Sequence, residues 1–315
     1  MSGAPKWPKR DPAAVDHGHP PRPHALRRYG QNHLVDGNIL RAIVAQAAVS
    51  PEDVVLEVGA AGGLLTRPLL ERARAVHAFE IDRRFLPRLE ALAAADARLH
   101  LHVGDALRSD LTALEPAPTA LVANLAYNIA IPLIMTTIAG LPSVRRWAVM
   151  VQRELGERLF AVPSTKAYAA VSVLTQLVCE LEKVRPVPAS AFRPRPRVES
   201  SFITFVRRAA GPPAAAAGDA PPEEAASVPT AEAGALKAGE YAIVEPLVRL
   251  AFGQRRKTLA NSVSGAAHAG VTLTRDDVRR ELDRLGLTAA ARPEELSPSQ
   301  WLRFARGLGW LGEAA

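Results

Sequence analysis

Residues 54–63 read Val54-Val55-Leu56-Glu57-Val58-Gly59-Ala60-Ala61-Gly62-Gly63. Aliphatic side chains interrupted by one acid and followed at once by small residues predict a buried strand that ends in a tight turn, with a helix from about Leu64. Such a turn lets the backbone approach a ligand, and the helix after it offers N–H groups to polar atoms. The next apolar run, 75–81, ends near Glu80, which lies 21 residues after Gly59. A carboxylate at that strand end can accept both hydroxyls of an adenosine ribose, which suits NAD and S-adenosylmethionine alike. Asp105, just after a third run at 99–104, supplies a further acceptor where an adenine amino group would lie.

Outward from this unit, ALVAN at 120–124 and WAVMVQ at 147–152 continue the alternation of apolar strands with helical patterns. That alternation is the signature of a doubly wound, parallel α/β sheet. Two more strand-like runs follow, VCELEKVRPV at 178–187 and SSFITFVRR at 200–208. Residues 209–235 contain no aromatic side chain and only Val228 as a large aliphatic. Such a composition cannot bury enough surface to offset chain ordering, and a disordered Ala/Pro linker is expected over 209–236. Residues 237–315 show helical patterns, with Thr274 and Ser297 as N-caps and Gly286 as a C-cap, so a small all-helical C-terminal domain is expected there. The α/β domain is expected over 27–208, preceded by a basic, flexible arm over 1–26.

A chain of 315 residues with 48% apolar side chains can build one large core and one small one. The single Cys179 excludes an intrachain disulfide framework, and no Cys-x-x-Cys zinc or redox motif exists. No metal is expected, and a reducing cytoplasm is the default compartment. The first 30 residues contain no apolar core of signal-peptide length. Residues 118–144 carry no charge, but Asn124, Tyr127, Asn128, Pro132, Thr136 and Thr137 interrupt them and argue against a membrane span. The net charge of +7 is unevenly spread: segments 1–30 and 183–208 together carry +10 and the remainder −3. Concentrated Lys and Arg point to a polyanionic partner, since neutralising phosphates releases counterions.

At the end of the fourth run stands Asn124-Leu125-Ala126-Tyr127. The lone pair of an exocyclic base amine is delocalised into the ring and must be directed at a methyl donor. The Asn124 side-chain oxygen and a backbone carbonyl, that of Leu125, can each accept one amino hydrogen, while Tyr127 stacks on a base withdrawn from its helix. No cysteine nucleophile stands there, which argues against the covalent route to a cytosine carbon.

Asn124–Leu133, NLAYNIAIPL, resembles the NLPYNIxTPL motif of the ribosomal RNA adenine N6-dimethyltransferases, the KsgA family. Gly30–Asp36 resembles that family's GQNFLxD opening, and Val151–Glu154 with Glu157-Arg158 its VQxEVAER. Ala191–Val198 resembles AFxPxPKV, and Arg255–Leu259 resembles RRKxL. The motifs occur in order from about Arg27 to the last helices. The resemblance implies a Rossmann-like methyltransferase sheet, S-adenosylmethionine as cofactor, and methylation of two adjacent adenines near the 3′ end of 16S ribosomal RNA in a 30S precursor. It implies Gln31, Asn32, Leu34, Gly59, Glu80, Asp105 and Asn124 as cofactor contacts, and Asn124 and Tyr127 as the residues that hold the amine. It also implies RNA contacts from Phe192, Arg193, Arg195, Arg197, Arg255, Arg256 and Lys257; the last three are expected to open a helix, where a solvated helix face is an equal alternative. For Phe192 a buried hydrophobic anchor is an equal alternative. A cytoplasmic monomer without membrane attachment is expected.

Three positions depart from the pattern. Ala61 replaces a glycine, so that its methyl crowds the cofactor or Gly62 takes over the turn. Ala126 replaces a proline and loses a fixed φ. His33 replaces a phenylalanine. Weakened cofactor binding or a slower rate is expected from them. The alternatives are a 23S ribosomal RNA methyltransferase of the macrolide-resistance type, a catalytically weak assembly factor and, more distantly, an NAD-dependent dehydrogenase.

Overall fold

The structure, a computed structural model, describes residues 32–208, 236, 239–254, 256–268 and 270–311. The expected arm, Gln31, residues 209–235 of the expected linker and Arg255 lie outside the described residues. Seven strands carry the α/β part: β1 (Val54–Val58), β2 (Ala75–Glu80), β3 (Leu99–Val103), β4 (Ala120–Asn124), β5 (Arg146–Gln152), β6 (Cys179–Val187) and β7 (Ser200–Arg207). They form one sheet in the order β3-β2-β1-β4-β5-β7-β6. The first five pair in parallel, and β7 runs antiparallel to both its neighbours.

The pleat sends alternate side chains to opposite faces, and each face has its own core. Val55, Val76, Ala78, Val122 and Met150 point into one cluster, covered by α1 (Gly37–Ala47), α2 (Thr66–Leu70) and α3 (Leu86–Ala95). Leu56, Val58, Leu121, Ala123 and Val149 point into the other, covered by α4 (Ala130–Gly140), α5 (Arg153–Leu159) and α6 (Ala170–Gln176). Burial on both faces explains the near-continuous apolar runs of β1, β2 and β4. The chain winds outward from β1 to β3 and returns to β4 beside β1. A crevice therefore opens between the carboxyl ends of β1 and β4, where sheets of this kind bind ligands.

The uncharged stretch 118–144 divides into β4 and the 11-residue α4. Among the described residues no helix is long and apolar enough to cross a membrane. Helix α4 is fixed at its C-terminal end by Arg207, whose guanidinium donates to the carbonyls of Ile138 (3.0 Å), Leu141 (3.3 Å) and Val144 (2.9 Å) and lies over the Trp147 ring.

The C-terminal part consists of α7 (Glu240–Phe252), α8 (Leu259–Val263), α9 (Arg275–Arg284) and α10 (Pro298–Gly307). Thr274 and Ser297 cap α9 and α10 through their hydroxyls. Two expectations need correction here. The part is not all-helical, because Ala267–His268 and Val271–Thr272 pair as a short antiparallel ribbon. Arg256 and Lys257 do not open a helix; they lie in the turn between α7 and α8. The helices join the α4–α6 core directly: the buried Tyr168 donates to the Leu296 carbonyl (2.8 Å) and meets the Phe252 ring edge-on.

Candidate active site

The turn after β1 is closed by its own backbone. Gly59 and Gly63 hold φ of +83° and +76°, a region that favours glycine. Gly59 and Ala60 donate their N–H groups to the Phe79 carbonyl of β2 (2.9 and 3.2 Å). Ala61 itself adopts φ +47°, so Gly62 does not take over the turn. Its N–H donates to Glu80 Oε2 at 2.7 Å, and that of Asp82 to Glu80 Oε1 at 2.7 Å. Glu80, 4% exposed, thus braces the turn. Burial raises its pKa, the Asp82 and Ala61 N–H groups oppose that shift, and the Asp82 charge adds to it.

Sequence reasoning passed over Glu57. Its carboxyl is buried and its Oε2 has no hydrogen-bond partner among the described residues. Burial pushes the group up to about 8, with the neighbouring Thr66 hydroxyl opposing the shift and the Glu80 charge adding to it. A lone acid in an aliphatic strand was the available signal. Ile81 and Val103 were also missed; they are exposed apolar side chains at the ends of β2 and β3, Ile81 next to Glu80 in the chain and Val103 paired with Glu80 in register. Asp105 is partly exposed and caps its own turn, accepting from the Leu107 N–H (3.0 Å).

Asn124 ends β4. Its Nδ2 donates to the Asn32 carbonyl at 3.1 Å, which fixes the amide so that Oδ1 remains the free acceptor. The Leu125 N–H donates to the Met150 carbonyl (3.2 Å) just past the β4–β5 ladder. The partly exposed Tyr127 shares a hydrogen bond of 3.0 Å with Ser200 Oγ, another residue the sequence reading missed. Residues 33–34 pair antiparallel with 192–193, joining Leu34 to Phe192 and His33 to Arg193. His33 keeps an aromatic role, meeting the Phe85 ring edge-on with centroids 5.4 Å apart.

Phe192 is 1% exposed and packs with Leu34, Met150, Val187 and Phe202. It is the hydrophobic anchor of the alternative reading, and its burial removes it from the surface that an RNA touches in this conformation. Arg193, Arg195 and Arg197 are exposed, and none has a carboxylate partner among the described residues. Arg256 and Lys257 are exposed as well. No group of three or more His, Cys, Asp or Glu able to hold a metal ion occurs among the described residues.

A family model described as ribosomal RNA adenine dimethylase matches residues 24–217. Ribosomal RNA small subunit methyltransferase A of Rubrobacter xylanophilus is 38% identical over 289 residues, covering 92% of this chain and 96% of the relative. The Chromobacterium violaceum protein of the same name is 35% identical, covering 90% and 95%. Among solved structures, a dimethyladenosine transferase from Plasmodium falciparum superposes with a TM-score of 0.68 at 22% identity, over 89% of this chain and 98% of that one. The 23S rRNA methyltransferase ErmE superposes with a TM-score of 0.61 at 25% identity, over 88% and 99%.

Proposed function

Since the chain belongs to the ribosomal RNA adenine dimethylase family, we propose that it dimethylates two adjacent adenines near the 3′ end of small-subunit ribosomal RNA, on a 30S precursor, acting as a cytoplasmic monomer. It is an S-adenosylmethionine-dependent enzyme. The residues at the crevice fit that cofactor. A buried carboxyl oxygen of Glu57 without a donor among the described residues suits a ligand that brings N–H groups and positive charge. Glu80 has lone pairs to spare for ribose hydroxyls, and Ile81 and Val103 offer apolar surface to a purine. Gly59, Asn32, Leu34 and Asp105 complete the holding set. When bound, the cofactor supplies an electrophilic methyl group on a sulfonium centre.

The chain's own contribution is positional. The observation that carries the reading is the Asn124 amide, tied by the Asn32 carbonyl so that Oδ1 is the acceptor for one amino hydrogen of the target adenine. The Leu125 carbonyl takes the other, and the nitrogen lone pair is thereby turned out of conjugation with the ring. Tyr127 stacks on the extruded base. The amine proton released on methylation needs no strong base from the protein. Arg193, Arg195, Arg197, Arg256 and Lys257 contact phosphates and fix the approach of the RNA.

Identities of 32–38% to small-subunit enzymes over about nine-tenths of the chain favour 16S RNA over the 23S target named for ErmE. Primer extension on both RNAs from a deletion strain tests this choice. Loss of the paired stops in the small subunit alone is expected, and a change confined to the large subunit would reverse the assignment.

A further inference from the structure

We propose that Ser200 is a positioning residue for methyl transfer, its hydroxyl mooring the Tyr127 ring in the orientation that receives the target base. The proposal rests on the reading that Tyr127 stacks on that base. Tyr127 lies in the turn between β4 and α4, where the backbone is held by the Leu125 bond to Met150 and by the Ile129 N–H on the Ala126 carbonyl (3.1 Å). Neither bond fixes the Tyr127 side chain, and Ala126 places no ring constraint on the turn. A partly exposed tyrosine in such a turn exchanges between staggered rotamers unless its far end is held.

Ser200 provides that hold from a distant part of the chain, 73 positions away, at 3.0 Å from the phenol oxygen. It is 1% exposed and opens β7, where register pairs it with Gln152 of β5 on one side and Val187 of β6 on the other. Its backbone is therefore fixed by the sheet on both flanks. Each of the two hydroxyls has the other as its one hydrogen-bond partner among the described residues. A serine chosen only to fill space at that site would leave a buried hydroxyl with no partner, which is costly. Ser200 also ends the segment that carries Arg193, Arg195 and Arg197, so the surface expected to meet RNA and the expected base platform share one anchor.

The test measures labelled methyl transfer by the full chain to unmodified 30S particles, for wild type, Ser200→Ala, Tyr127→Phe, the double variant and Tyr127→Ala. An unmoored ring must be ordered during each turnover, so Ser200→Ala and Tyr127→Phe are each expected to lower kcat by about three- to ten-fold, the worth of one hydrogen bond. KM for the particles and the S-adenosylmethionine Kd are expected to stay close to wild type, as is the Tm of Ser200→Ala and of the double variant, whereas Tyr127→Phe leaves the buried Ser200 hydroxyl unpaired and should lower Tm by a few degrees. The double variant should be no slower than either single one, because both remove the same bond. Additive losses, or a slow Ser200→Ala beside a fully active Tyr127→Phe, would show that Ser200 acts without Tyr127 and overturn the proposal. Tyr127→Ala separates the two readings. If it is inactive while Ser200→Ala and Tyr127→Phe match wild type, only the mooring fails; if it is fully active, the stacking role of Tyr127 fails and the mooring with it.

Discussion

Replacing Glu80 by glutamine changes one atom and exposes what the carboxylate does. Both oxygens accept backbone N–H groups at 2.7 Å, from Ala61 and Asp82. A glutamine has one acceptor oxygen and a nitrogen that only donates, so either orientation of the amide sets it against an N–H of the loop. Leaving one of those buried donors unpaired costs about 1–3 kcal/mol of fold stability. The expected fall in Tm is about 2–8 °C, given a few degrees per kcal/mol for a chain of this size. On the proposed ribose contact, a hydroxyl loses a charged acceptor as well, worth roughly 1.5–3 kcal/mol. The S-adenosylmethionine Kd should therefore rise about ten- to one-hundred-fold by isothermal titration. The pH dependence has a definite sign. Burial holds the Glu80 pKa above its ordinary value, so acidification protonates it and converts an acceptor into a donor. Wild-type affinity should weaken as pH falls toward that raised pKa, and the glutamine variant should lack this dependence. Binding by Glu80→Gln within about three-fold of wild type at neutral pH, where the hydrogen-bond loss predicts at least ten-fold, would refute the reasoning.

Ala61 holds φ +47°, where an L side chain is strained by about 1 kcal/mol. Ala61→Gly should raise Tm slightly and leave the S-adenosylmethionine Kd equal or lower; a weaker Kd would mean that the methyl supports the turn. Arg207→Met strips three carbonyls around the end of α4 of a charged donor and should cost about 2–4 kcal/mol in denaturant unfolding, where a loss under 1 kcal/mol would contradict that role. Glu57 is pushed from its ordinary 4.5 up to about 8 in the fold, so the folded chain keeps a proton that the unfolded chain has released. Stability should fall as pH rises between those values, and Glu57→Gln should flatten the slope and raise Tm at pH 8 in cofactor-free protein, with an unchanged slope as the opposing result.

The sheet was legible because its inner strands are buried on both faces and so print themselves as unbroken aliphatic runs; all seven strands lie within a residue of the expected bounds. Glu80 and Asn124 were legible as polar residues at strand ends, the positions that a doubly wound sheet turns toward its crevice. What local patterns cannot carry are the side-chain bonds between distant segments. The tie from Asn124 to Asn32 spans 92 positions and the one from Tyr127 to Ser200 spans 73, and neither leaves a periodic trace. Phe192 was ambiguous because an aromatic beside prolines reads equally as an anchor or a platform; its burial, at 1% exposure, fits the anchor. The ribbon at 267–272 has two residues per strand, too few for an alternation to register. The basic stretch before α8 was drawn into the helix because arginine and lysine are good helix formers, whereas Thr258 stands at the N-cap, in extended backbone.

The central claim is that the Asn124 amide at the tip of β4 directs the amine of an extruded adenine. Transfer of labelled methyl to unmodified 30S particles by wild type and Asn124→Ala, with particle binding measured in parallel, tests it most directly. Loss of transfer by about a hundred-fold or more, the scale of removing one preorganised hydrogen-bonding group, is expected with binding nearly unchanged. Equal labelling by the two proteins would contradict it.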